Sequence, residues 1–248
     1  MVSPGFDPQP RGHGTKISTY LFPEEQKHSK LFLDESQRYI EFYTPILGPY
    51  PWPKFDIVEN FFTTGYGMPS YTLLGASVVD VMVRMAPRYG GNLPPGFVDH
   101  ELVHCYWGNF VYPDYATGNW CEGLTSYCAN YLMKERQSVK AATAHRQKAA
   151  TNFAIRVSPE NDYPVQEFRG KTEDFDNDIG YSKAMMLFHM LRREVGTEVF
   201  WETLRGIVRD FGGKKASWQD FQTAFSKASG QITLAAGSDV PSFSTTTA

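Results

Sequence analysis

Residues 100–104 read His100-Glu101-Leu102-Val103-His104, and after seventeen further residues comes Glu122-Gly123. On a helix, His100 and His104 lie four apart and share one face, where two imidazoles can grip a single ion. Glu101 is one step round from His100, close enough to reach a water at that ion without being a ligand itself. Glu122 supplies a third ligand if the next helix carries it in. Two His and one Glu leave a fourth position for water, the arrangement of a catalytic rather than a structural zinc site.

The flanks support helices at both places. Residues 97–111 are apolar enough for a buried helix, through Phe97, Val98, Leu102, Val103, Tyr106 and Trp107, with Pro94, Pro95 and Gly96 as its start signal. A loop over 113–119 leads into a second helix, opened by Glu122, whose Leu124, Tyr127, Cys128, Tyr131 and Leu132 form an apolar stripe. A buried carboxylate beside two imidazoles in so apolar a stretch is unfavourable unless a divalent cation neutralises it.

The runs HELVHCYWGNFV and NWCEGLTSY resemble the gluzincin metallopeptidases of the membrane alanyl aminopeptidase (aminopeptidase N) family, whose pattern usually has one residue more between the second His and the Glu. LGPYPWPKFDI (47–57) resembles the segment leading into that family's catalytic-domain sheet, and IGYSKAMMLFHM (179–190) the helix carrying its catalytic tyrosine, here Tyr181. The resemblance covers about 30–230. It implies an α+β, mostly helical fold: a thermolysin-like zincin catalytic domain with a small N-terminal sheet. It also implies Zn2+ on His100, His104 and Glu122, Glu101 as general base, Tyr181 as hydrogen-bond donor to the transition state, and a peptide substrate. A phenol suits that last role because it stays protonated at neutral pH.

The match departs from the family at the substrate's amine. The family's Gly-x-Met-Glu-Asn strand frames the substrate backbone and anchors its free N-terminus through the Glu. Here Gly67 and Met68 fit, but Pro69 and Ser70 follow and the carboxylate is gone. The expected activity is therefore zinc-dependent peptide hydrolysis, aminopeptidase-like with an altered amine anchor. The alternatives are a non-catalytic gluzincin-like binding module, or a zinc hydrolase or endopeptidase with another substrate. Ser126 stands where other gluzincins place an acidic partner four residues after the ligand Glu, so His100 must be oriented from elsewhere. Asp99 and Asp114 read as solvated loop or helix-start charges.

At 248 residues and 42% hydrophobic content, the chain can bury one sizeable core. Its net charge of −3, with both signs interspersed, gives no reason to expect nucleic acid as a partner. No run of eighteen apolar residues marks a membrane span, and the first residues lack the apolar region of a secretion signal, so the default expectation is cytoplasmic, with an exported parent protein as the alternative. The sequence is silent on oligomeric state. Cys105, Cys121 and Cys128 read as small buried thiols, because Cys121 and Cys128 are seven apart on one helix, about 10 Å by helical rise, too far for a bridge.

Three regions follow from composition and periodicity: a poorly ordered segment over 1–22, a catalytic domain over 23–230, and a Ser/Thr-rich tail, disordered or truncated, over 231–248. Within the domain a helix is expected over 23–43, broken by Pro45 to Pro53. Strands are expected over 55–62 and 71–79, separated by a glycine-rich turn, and helices over 139–153, 179–195, 198–211 and 217–228. Gly196 and Gly212 sit where C-caps belong, and Thr197 and Ser217 where N-caps belong. Asn177 or Asp178 is expected to cap the Tyr181 helix.

Overall fold

The computed structural model describes residues 10–11, 14–63 and 65–230. The expected tail over 231–248 and residues 1–9 lie outside them. The fold is α+β and mostly helical, as expected. It comprises a five-stranded mixed sheet followed by a helical body that encloses the motif.

Strands β1 (Pro10–Arg11), β2 (Thr15–Tyr20), β3 (Lys54–Asn60), β4 (Gly65–Met68) and β5 (Tyr71–Gly75) form the sheet in the order β1-β2-β3-β5-β4. β2, β3 and β5 run parallel; β1 and β4 are antiparallel edges. β2 corrects the expectation of disorder over 1–22: within the polar stretch Thr15–Tyr20, residues Lys16 to Tyr20 pair in register with Lys54 to Val58, and Ile17 is buried. The crossover between β2 and β3 is α1 (Ser29–Leu47), whose Phe32, Ser36, Tyr39, Ile40, Tyr43 and Leu47 bury one helical stripe. Pro45 does not break this helix. It sits in the last turn, and the chain leaves the helix only at Gly48, with φ +100°.

The expected strand over 71–79 stops at Gly75, where α2 (Ala76–Met85) begins. The β-branched run Val78, Val79, Val81 and Val83 mimics a strand, but Val79 and Met82 are the residues buried, three apart as on a helix face. The expected glycine-rich turn is itself the strand β4, reversed by Pro69 and Ser70, the latter at φ +72°.

The motif helix α3 spans Val98–His104, shorter than the expected 97–111. After it the chain folds back on itself: Tyr106, Trp107 and Val111 are fully buried, but in a tight turn closed by Val111 N–H to Tyr106 C=O and by Gly108 at φ +103°. Apolarity marked the burial correctly and the helix wrongly. A short strand, β6 (Tyr112–Pro113), pairs with β7 (Lys215–Ala216).

The second motif helix starts as α4 (Cys121–Ser126), passes through a π turn over Tyr127–Tyr131 and continues as α5 (Leu132–Gln137). There follow α6 (Val139–Arg156), α7 (Asp174–Asn177), a second π turn over Asp178–Lys183, α8 (Ala184–Val195), α9 (Thr197–Phe211) and α10 (Trp218–Ala228). Ser217 caps α10 in a reciprocal pair with Asp220. Gly196, not Thr197, occupies the cap position between α8 and α9. Neither Asn177 nor Asp178 caps the Tyr181 segment. Glu173 and Asp176 form the capping box one turn earlier, and Asp178 is buried against Arg156. Trp107, Trp120 and Phe221 meet at the centre of the core, with ring centroids 6.1 Å (Trp107–Trp120) and 4.7 Å (Trp120–Phe221) apart. No helix among the described residues is long and apolar enough to cross a membrane.

Candidate active site

α3 presents His100 and His104 on one face, as their spacing requires, with ring centroids 4.9 Å apart. α4 brings Glu122 to them: its Oε2 lies 3.3 Å from His104 Nε2 and 3.8 Å from His100 Nε2. Ligand atoms about 2 Å from a tetrahedral zinc are roughly 3.3 Å apart, so this trio has the right spread for such an ion. Among the described residues it is the one group of His, Cys, Asp or Glu whose donor atoms all lie within 4.8 Å of one another.

Both imidazoles are oriented by a partner on their outer nitrogen. His104 Nδ1 is 3.0 Å from the Trp107 carbonyl, to which its N–H donates, turning Nε2 toward Glu122. His100 Nδ1 is 2.7 Å from Asn130 Oδ1. The residue that orients His100 is thus Asn130, which sequence reasoning missed. Asn130 follows Glu122 by eight positions, which on a regular α-helix puts the two about 80° apart. The π turn inserts one residue and restores them to a common face. Replacing Asn130 with Ala is expected to weaken zinc binding by roughly 10- to 100-fold, measured by competition with a chromogenic chelator. Unchanged affinity would remove Asn130 from this role.

The electrostatics suit a cation. Burial disfavours the Glu122 carboxylate, but hydrogen bonds from His100 and His104 outweigh it and hold the group well below the usual carboxylate range. Burial likewise opposes charge on His104, while the hydrogen bond and charge of Glu122, then the charge of Glu101, lift it to about 9. Asp99 stands at the helix start, one of the two places expected for it, but is buried rather than solvated: it accepts the Gly96 and Phe97 N–H groups at the start of α3. The three cysteines are free and buried, and the Cys121 sulfur lies 3.9 Å from His104 Nδ1.

The trio opens into a cleft of about 380 Å³ that Glu101, Tyr181, Gly67 and Tyr115 also line. β4 presses on α3 so closely that a Cβ on Gly67 would stand 2.5 Å from His104 Cβ, and one on Gly65 2.9 Å from Glu101 Oε1. Asn109 donates to the Gly67 carbonyl at 3.0 Å and fixes the strand there. Met68 ends β4 and does not line the cleft; its carbonyl accepts from the Cys105 thiol at 3.5 Å. Tyr181 enters from the second π turn, its ring edge-on to Phe168 at 6.2 Å. Burial, then the Glu122 carboxylate, push its phenol above the ordinary tyrosine value, so it remains a donor.

Gly123 makes that approach possible, since a Cβ there would lie 2.3 Å from Ala184 Cβ. Gly123→Ala is expected to destabilise the fold by about 1–3 kcal/mol. Thermal unfolding of the variant checks this; an unchanged Tm would mean that the two helices part without penalty.

The sequence profile of the peptidase family M1 domain matches residues 31–246. Among curated proteins the chain is 26% identical over 224 residues to mitochondrial aminopeptidase 2 of Saccharomyces cerevisiae, covering 87% of this chain and 23% of that protein. It is 24% identical to the alanine/arginine aminopeptidase of the same yeast, covering 87% and 26%. The chain therefore spans about a quarter of the length of these relatives. Among solved structures, an M1 zinc metallopeptidase from Deinococcus radiodurans superposes with a TM-score of 0.61 at 20% identity, over 86% of this chain and 45% of that one. Native yeast LTA4 hydrolase gives 0.65 at 18% identity, over 87% and 35%. With the fold in common and the family profile matching most of its length, the chain belongs to peptidase family M1.

Proposed function

We propose that this chain hydrolyses peptide bonds with one zinc ion held by His100, His104 and Glu122. The observation that carries this reading is the 3.3–3.8 Å convergence of Glu122 on two imidazoles whose outer nitrogens are already tied to Trp107 and Asn130. Zinc there would supply Lewis-acid polarisation of the scissile carbonyl and acidify the attacking water. Glu101 takes the water's proton and passes it to the leaving amine. Tyr181 donates to the carbonyl oxygen as negative charge develops on it. β4 lies along the cleft through Gly65, Tyr66 and Gly67, where a substrate backbone can run beside it, while Met68 stands outside the cleft lining, and residues 23–230 together with β2 make up the catalytic unit.

Recognition of the substrate's N-terminus is altered. Met68 is followed by the reversal at Pro69 and Ser70, neither of which can hold an ammonium by charge. This favours a second reading, in which bonds remote from a free N-terminus are also cut.

Zinc per chain after exhaustive dialysis, compared with His104→Ala, tests the metal site: close to one ion in the parent and little in the variant is expected. Hydrolysis of an unblocked peptide should vanish with a chelator and return with zinc. Loss of turnover on N-acetylation of that peptide would favour the aminopeptidase reading, and retention the second. A folded, zinc-free parent would refute both.

A further inference from the structure

A second cavity, of about 370 Å³, lies away from the cleft, at the far end of the helix that carries Glu122. Its floor is apolar and aromatic, formed by Tyr39, Phe42, Leu93 and Met133, and the guanidinium groups of Arg38 and Arg136 stand at its rim. Arg136 follows Glu122 by fourteen positions, about 20 Å of helix, so this is a separate place on the molecule.

The charge there is one-sided. No Asp or Glu lines the cavity, in a chain whose net charge is −3. The nearby Glu35 is committed: it binds Arg38 and accepts the Leu93 N–H. Three cations lie over aromatic rings around this cavity: Arg136 over Phe42 at 4.2 Å, Arg38 over Tyr39 at 5.8 Å and Lys134 over Tyr89 at 5.9 Å. Among the described residues Arg136 has no carboxylate within ion-pair distance. Stacking on Phe42 leaves the in-plane N–H groups of its guanidinium able to face an anion. An aromatic floor under an uncommitted guanidinium, in a cavity of about the volume of a small-ligand site, defines a ligand chemistry.

The geometry points to a binding site for a small molecule with an oxyanion head, carboxylate or phosphate, on a flat apolar body. The head would engage Arg136 in a bidentate pair, and the body would lie on Tyr39 and Leu93.

Calorimetric titration with phenylacetate, phenyl phosphate and the neutral phenylacetamide tests this on the parent, Arg136→Gln and His104→Ala proteins. Arg136 is exposed, so its substitution leaves the core intact. At least one acid is expected to bind tenfold or more tighter than the amide, and the tighter acid identifies the head group. Arg136→Gln should weaken that acid at least tenfold, and His104→Ala should leave it unchanged. Equal binding of acid and amide, no binding up to about 10 mM, or indifference to Arg136→Gln would overturn the proposal. Loss of binding in His104→Ala alone would place the acids in the catalytic cleft and overturn it too.

Discussion

Glu101→Gln is expected to keep its zinc and lose peptide hydrolysis by roughly 10²- to 10⁴-fold in kcat, the usual contribution of a positioned general base. Three observations lead to this expectation. Glu101 lines the cleft one residue after His100, yet the convergent donor set is His100, His104 and Glu122 without it. Its carboxylate packs against the backbone of Gly65, where an added Cβ would sit 2.9 Å from Oε1, so its position is set by the strand as well as by the helix. Glutamine has the same shape and fills that space, but its amide cannot take a proton from water at neutral pH. Zinc per chain and steady-state kinetics should therefore separate, the first unchanged and the second collapsed. A variant with parental turnover would remove Glu101 from the mechanism, and one that lost zinc with its activity would make Glu101 a determinant of the metal site instead.

The convergence of His100, His104 and Glu122 was legible in the sequence because it depends on short-range helical geometry. The four-residue spacing of His100 and His104 fixes a shared face whatever surrounds them, and an apolar stripe from Leu124 to Leu132 places Glu122 at a helix start. What the sequence hid depends on contacts between distant segments. Asn130 orients His100 through a π turn, and nothing in the composition of Tyr127–Tyr131 marks one. Asp99 reads as a surface charge until the Gly96 and Phe97 N–H groups close over it. Thr15–Tyr20 is polar enough to pass for a loose terminus, and becomes a strand only because β3 lies parallel beside it. Gly65 and Gly67 suggest a turn by their identity alone; they are strand residues because His104 and Glu101 occupy the space where side chains would be. Burial was easier to foresee than shape: Tyr106, Trp107 and Val111 are in the core as their apolarity demands, but the helix ends before them.

Tyr181→Phe is expected to lower kcat by roughly 10²- to 10³-fold with little change in KM, the size of effect associated with losing one donor to a developing oxyanion. The substitution is informative because it removes an oxygen and little else. Phenylalanine keeps the edge-on contact with Phe168 and the fit against the second π turn and loses the hydroxyl with its hydrogen bond to Glu122, so a Tyr181 that only steadied Glu122 would change zinc content and leave kcat of the zinc-loaded protein unchanged. A donor role predicts a selective loss. Tyr181 lines the same cleft as Glu101, and its phenol is held protonated by burial and by the Glu122 carboxylate, so the proton needed at the transition state is present before substrate arrives. The ground-state carbonyl carries little charge and gains little from that donor, whereas the tetrahedral oxygen gains most, which is why the loss belongs in kcat. If KM rose with kcat unchanged, Tyr181 would be a substrate contact. If neither moved, charge on the oxyanion would have to be met by the metal and backbone alone, and the closeness of Gly123 to Ala184 would serve packing rather than catalysis.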